Sequence, residues 1–170
     1  VYADLTIVSQ LSRDEAVHRL AMPFPDNLPF AAAGPVLVLP VGFRNGKVGE
    51  RIVVGWDASP QSARGARGAL PFLQRAELAT VMTIGERRPG YLTDPDIGML
   101  LDRHGVNVEL VVESAGRMTM GEKLLAKVNE SGSDMLVMGA YSKSRLRQIV
   151  LGGNTRHVLT HATVPVLMTH

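Results

Sequence analysis

The chain contains no cysteine, which excludes disulfides, thiolate metal sites and cysteine nucleophiles and fits a reducing compartment. Aromatic residues make up only 5%. The arginines are scattered rather than clustered with them, and a formal charge of +2 is too small to argue for a nucleic-acid partner. No apolar run reaches the length of a membrane span, and no signal peptide is expected, so a cytoplasmic location is expected. There is no Walker lysine motif and no GxGxxG. Ser59 and Ser62 lack the context of a nucleophile elbow. No general acid–base pair stands out, and the chain is not expected to be an enzyme.

What is present is a core-forming composition. Of 170 residues, 45% are hydrophobic, enough for one α/β domain and a remainder. Tyr2 to Gln10 and Val36 to Val41 read as buried strands, with a short helix over Leu11 to Leu20. Pro23, Pro25 and Pro29 bar regular helix after it. The segment 43–50 is glycine-rich and polar and reads as a linker within a boundary at residues 42–50. From Arg51 onward strands and helices alternate: strand 51–56, a helix opened by Ser59-Pro60 and kinked at Pro71, strand 78–84, helix 94–103, strand 106–112, helix 120–129. Then come an apolar run at Met135 to Met138, a basic loop, the pair Gly152-Gly153, a helix over Arg156 to His161 and a last strand at Val164 to Met168. This βαβαβαβαβ order implies a doubly wound, open parallel sheet.

Two segments repeat in one register. ADLTIVSQ at 3–10 matches SDMLVMGA at 133–140, and GPVLVLP at 34–40 matches VPVLMTH at 164–170, so Asp4 and Pro35 each find a counterpart 130 positions on, at Asp134 and Pro165. The simplest account is a tandem chain whose first copy, residues 1–42, keeps only its last two strands. That copy has Ser9 where the second has Gly139, and no glycine pair follows.

A doubly wound sheet opens a ligand crevice where strand order reverses, at the carboxyl ends of the strands. Asp57 falls at such an end, and Gly139 closes the neighbouring strand. Gly152-Gly153-Asn154-Thr155 precede a helix whose free N–H groups could hold a phosphate, with Lys143, Arg145, Arg147 and Arg156 nearby in sequence. The residues alone leave alternatives open: turn geometry for the glycines, a capping carboxylate for Asp57, a solvated face for the basic side chains. His157 and His161 stand at helical i, i+4 spacing, but no third ligand accompanies them and packing is the better reading.

The segment GAYSKSRLRQIVLGGNTRHVLTHATVPVLMTH resembles the C-terminal signature of universal stress proteins, and VVGWDASPQSARGARGAL resembles their first strand and helix. The likeness covers 51–170 as a whole domain and 1–42 as the tail of a preceding one. It implies a Rossmann-like, adenine nucleotide alpha hydrolase-like five-stranded sheet in the order 3-2-1-4-5. The family's nucleotide-binding branch carries glycine, two residues, glycine, nine residues, then glycine and serine or threonine. Gly139 and Gly152 take the first and third glycine places, while Ser142 replaces the second and Gly153 the hydroxyl residue. A serine at a site needing positive φ costs about 1 kcal/mol or more. Asn154 or Thr155 could supply the missing hydroxyl or amide. By the same resemblance Asp57 meets ribose or phosphates, and Ile84, ending the second strand, meets adenine through its backbone.

The resemblance thus implies an adenine nucleotide, ATP or AMP, with a magnesium ion accompanying it, in a stress-response module that acts as a homodimer. The alternatives are an assembly or regulatory module that binds no nucleotide, and a slow ATPase. The resemblance also has the last strand pair antiparallel with a counterpart. Strand 36–41 is the partner within this chain, which extends the order to 3-2-1-4-5-5′-4′ and leaves strand 3–9 at an open edge for a second chain to cover.

Overall fold

The computed structural model describes residues 3–10, 32, 34–44, 46–85, 94–114, 116–140 and 153–169. The expected helix over 11–20, the proline-rich stretch, the basic loop with Lys143, Arg145 and Arg147, and two of the candidate site residues, Ser142 and Gly152, lie outside them.

Among the described residues seven strands form one sheet: β1 (Thr6–Ser9), β2 (Val36–Leu39), β3 (Arg51–Trp56), β4 (Leu78–Ile84), β5 (Val108–Glu113), β6 (Met135–Gly139) and β7 (Val166–Thr169), ordered β1-β2-β7-β6-β3-β4-β5. Every pairing is parallel except β2 with β7. The five strands from β3 onward keep the expected 3-2-1-4-5 order. β2 adds to the β7 edge and β1 adds to β2, so the five-stranded order extends to seven strands in the expected order 3-2-1-4-5-5′-4′. β1 is also shorter than expected, since its ladder runs only as far as its single neighbour β2.

Five helices cover the faces among the described residues: α1 (Pro60–Gly68), α2 (Leu70–Leu73), α3 (Asp94–Arg103), α4 (Met120–Glu130) and α5 (Gly153–His161). The central strands β3, β4, β6 and β7 are apolar on both sides because both faces are covered there. Ile52, Val54, Trp56, Val81 and Val137 pack with Ala66 and Leu73 of α1–α2 and Leu101 of α3. Val53, Met82, Leu136 and Met138 pack on the other face with Leu124 and Val128 of α4 and Val158 of α5. Fully burying side chains of this size stabilises by about 1.5–3 kcal/mol each.

Helix ends follow local chemistry. The Ser59 hydroxyl accepts from the Ser62 amide at 3.1 Å, and Pro60 fills the first turn. Pro71 has no N–H to continue α1, so the helix closes at Ala69, whose N–H donates to Gly65 O at 3.0 Å, and α2 restarts as a separate turn. Thr119 and Glu122 form a reciprocal capping box at the start of α4. The α5 helix begins at Gly153, not at Arg156, so Gly153, Asn154 and Thr155 belong to its first turn rather than preceding it.

The repeat found in the sequence is a repeat of hydrogen bonds. Thr6, Ile7, Val8 and Ser9 pair with Val36, Leu37, Val38 and Leu39, and the residues 130 positions on, Leu136 to Gly139 and Val166 to Thr169, pair in the same register. Thr6 N donates to Pro35 O and Leu136 N to Pro165 O, both at 3.0 Å. Gln10 N donates to Leu39 O and Ala140 N to Thr169 O, both at 2.7 Å.

Candidate functional site

The strand order reverses at β3, which has β4 on one side and β6 on the other. At its carboxyl end the chain must leave the sheet and enter α1 within three residues. It does so through Ala58, at φ 58° the one non-glycine residue with positive φ among the described residues. Such a conformation costs an alanine roughly 1 kcal/mol. Asp57 offsets part of that cost: its Oδ1 accepts the Ser59 amide at 3.0 Å. Its other oxygen takes no hydrogen bond among the described residues. Asp57 is half-buried at the crest of the crevice.

Gly139 ends β6 on the neighbouring strand. A Cβ there would stand 2.6 Å from the Ser62 amide nitrogen and 2.7 Å from the Gln61 carbonyl carbon. Glycine is therefore required by the approach of the first turn of α1, whatever else the crevice holds. One turn on, Gly65 makes a looser version of the same approach to Met138 O at 3.3 Å. Thr169 Oγ1 donates to Gln61 O at 3.4 Å, which ties the same turn to β7.

Two polar groups under this turn were not singled out from sequence. Trp56 and Gln61 are 3% and 7% exposed, and the Trp56 Nε1–H and Gln61 Oε1 find no hydrogen-bond partner among the described residues. Continuing the β3–β6 register by two residues sets Trp56 beside Gly139. Unpaired buried polar atoms are uncommon and costly, on the order of 1–3 kcal/mol each. In sequence, Trp56 reads as core and Gln61 as an ordinary helix residue, so neither gives a signal.

On the opposite face, α4 and α5 both begin at the carboxyl ends of the strands. A Cβ on Gly121 would lie 2.9 Å from Asn154 O, and the Gly121 amide donates to Asn154 Oδ1 at 3.4 Å. The Asn154 side chain is thus turned toward α4, and Thr155 is 4% exposed. Among the described residues nothing lies within 4 Å of a Cβ placed on Gly153. The first-turn amides of α5 carry the positive end of its dipole. Glu122, half-buried beside them, has its carboxyl held below the usual carboxylate range, chiefly by the Thr119 backbone N–H and hydroxyl that it accepts, with His157 a minor cause. The His157 and His161 rings stack at 4.3 Å, and His161 Nδ1 lies 2.9 Å from His157 O.

Ile84 closes β4, half-buried against the α4–α5 face. The sheet therefore brings together Asp57, Ile84, Gly139 and the first turn of α5 at one end. Asn154 is directed to a helix contact rather than left open, and Arg156 is exposed. No helix of the described residues is long and apolar enough to cross a membrane.

Comparison with known proteins follows the fold. The sequence profile of the universal stress protein family matches residues 49–170. A universal stress protein from Archaeoglobus fulgidus DSM 4304 superposes with a TM-score of 0.72 at 17% identity, over 98% of this chain and 60% of its own. A putative universal stress protein from Pseudomonas aeruginosa UCBPP-PA14 gives 0.65 at 15% identity over 98% and 63%. A universal stress protein solved in complex with cAMP gives 0.51 at 19% identity over 73% and 98%. The chain thus spans about three fifths of the two longer structures. No curated protein sequence matches it.

Proposed function

The chain belongs to the universal stress protein family, and we propose that its crevice binds an adenine nucleotide, ATP or AMP, as part of a non-enzymatic stress-response module. The observation that carries this reading is the convergence of Asp57, Ile84 and the first turn of α5 where the strand order reverses. The amides of Gly153 to Thr155 suit phosphate. The uncommitted oxygen of Asp57 suits a ribose hydroxyl or a magnesium ion that accompanies the phosphates. The backbone of Ile84 suits the adenine edge. The cAMP held by one structural neighbour makes a nucleotide the class of ligand to try first. Gly139 and, by resemblance, Ser142 and Gly152 frame the phosphate side.

A second reading, an assembly module that binds no nucleotide, is favoured by two observations. Gly139 is accounted for by helix packing alone, and Asn154 Oδ1 is engaged by Gly121. Calorimetric titration with ATP, AMP and cAMP separates the two. Saturable 1:1 binding that weakens in Asp57→Ala supports the nucleotide reading, and no heat with any of them supports the assembly module. Turnover of bound ATP would support the slow-ATPase alternative.

The same proposal treats residues 1–42 as belonging to a first unit, 43–50 as the linker and 51–170 as a second unit, on the strength of the shared register. We place the protein in the cytoplasm as a homodimer. Its contact uses a surface other than the β7 edge, which β2 already fills.

A further inference from the structure

At the end of the sheet opposite the crevice one side chain joins three elements. Because β2 runs antiparallel to β7, the carboxyl ends of β1 and β2 fall where β7 begins, which is also where α5 ends. Gln10 stands one residue beyond β1, and its backbone N–H donates to Leu39 O at 2.7 Å. Its side-chain Oε1 accepts the Val41 N–H at 3.1 Å, and its Nε2 donates to Leu159 O in the last turn of α5. The Val41 N–H can only donate, so it fixes Oε1 on that side and leaves Nε2 for the carbonyl. Carbonyls in the last turn of a helix run out of intrahelical amides, and Gln10 supplies one from outside.

The same helix carries the first-turn amides that face the crevice. Its first turn is held against α4 by the Gly121 N–H, which donates to Asn154 Oδ1. Its buried side chains Val158 and Leu159 share one apolar cluster with Val36 and Val38 of β2 and with Val166 and Met168 of β7. α5 has nine residues, so it is about 13 Å long and behaves as a short rod. What holds its last turn therefore bears on where its first-turn amides stand. Ala140, 130 positions after Gln10, is buried and has no carboxamide, so the second copy of the repeat does not reproduce the tie.

We propose that Gln10 is a positioning residue for the crevice: by holding Leu159 it ties the β1–β2 pair to α5 and so sets the affinity of the first-turn amides of α5 for the phosphates of a nucleotide. The inference takes its ligand from the nucleotide reading above and its coupling from the contacts of Gln10. Such coupling is reciprocal. A nucleotide on the first turn of α5 favours the helix position that Gln10 holds, and so steadies the Val41 amide at the far end of the helix. A change at the carboxyl ends of β1 and β2 would alter nucleotide affinity without touching the crevice.

The test compares the 170-residue chain with Gln10→Glu, which keeps the acceptor for Val41 and removes the donor to Leu159, and with Gln10→Ala, which removes both. Should Gln10→Ala fail to fold, Gln10→Glu, nearly the same shape, decides the matter. Titration with ATP and with AMP gives the affinities, and amide hydrogen exchange without ligand follows α5 from His157 to Ala162. The expected result is binding weaker by about three- to tenfold in both variants, which is what the loss of one net hydrogen bond converts to. Faster exchange should reach along α5 to His157 while β3 and β4 keep their protection, and saturating ATP should slow the Val41 amide in the parent chain but not in Gln10→Ala. Unchanged affinity, faster exchange confined to Thr160 to Ala162, as the fraying of an ordinary helix end gives, or equally faster exchange in β3 and β4, as general destabilisation gives, would each overturn the proposal. A parent chain that takes up no nucleotide would sink the nucleotide reading instead, and the exchange pattern of α5 would then decide the coupling.

Discussion

Leu37 and Leu167 face each other at the centre of the antiparallel β2–β7 junction, 130 positions apart, and the pairs on either side, Val36 with Met168 and Val38 with Val166, exchange places under the same offset. The junction is therefore a local two-fold axis inside one chain, and both leucines are buried there. An apolar edge strand left open would pair with another molecule. Here the chain closes it on itself. Leu167→Ala should cost about 2–5 kcal/mol, as large-to-small changes at fully buried sites do. Leu37→Lys should part β2 from β7 and convert the protein into larger species. Urea unfolding and light scattering read the two effects, and a Leu37→Lys protein of unchanged mass would contradict this account of the junction.

Gly139 and Ser9 occupy matching register positions with different surroundings. Gly139→Ala forces a Cβ to within 2.6 Å of the Ser62 nitrogen, so a loss of about 1–3 kcal/mol is expected from overpacking. Ser9→Gly at the open strand should change stability by no more than about 0.5–1 kcal/mol, the strand cost of glycine. Chemical denaturation of both variants checks the contrast.

Asp134→Ala strips three backbone amides of their acceptor. A loss of about 2–4 kcal/mol is expected, since hydrogen bonds to charged groups contribute about 1.5–3 kcal/mol and partial exposure lets water replace some of them. Asp4→Ala should leave the unfolding midpoint unchanged. Equal destabilisation by the two would contradict the weight given to the three amide contacts of Asp134.

The capping box gives a pH prediction. Thr119→Ala should cost about 1 kcal/mol. The Glu122 carboxyl titrates below its ordinary value in the folded chain. Its contribution to stability is therefore complete above the ordinary carboxylate range and is lost as pH falls through the depressed folded value. Glu122→Gln should flatten that acid-side loss and leave the neutral-to-alkaline profile unchanged. Thermal melts across the acid range measure it.

Much of the fold was legible because periodicity and turn chemistry agree. The apolar runs gave β3, β4 and β6, Ser59-Pro60 gave the start of α1, and the offset between Asp4 and Asp134 anticipated a shared register. The site was less legible. Gly139 reads equally as phosphate loop or turn, and only the 2.6 Å approach of α1 separates packing from ligand. Asp134 looks like a solvated residue before a strand, because three amides from a segment 83–85 residues away carry no local pattern. The start of α5 was misplaced because a glycine pair signals a turn, whereas Gly153 here takes helical geometry.

Occupancy of the crevice is tested most directly by purifying the protein without added ligand, denaturing it and identifying what is released. The account predicts an adenine nucleotide, ATP or AMP, in near-stoichiometric amount with the chain, and its loss in Asp57→Ala. An empty protein that also fails to take up ATP would contradict it and leave Gly139 and Gly153 as elements of packing alone.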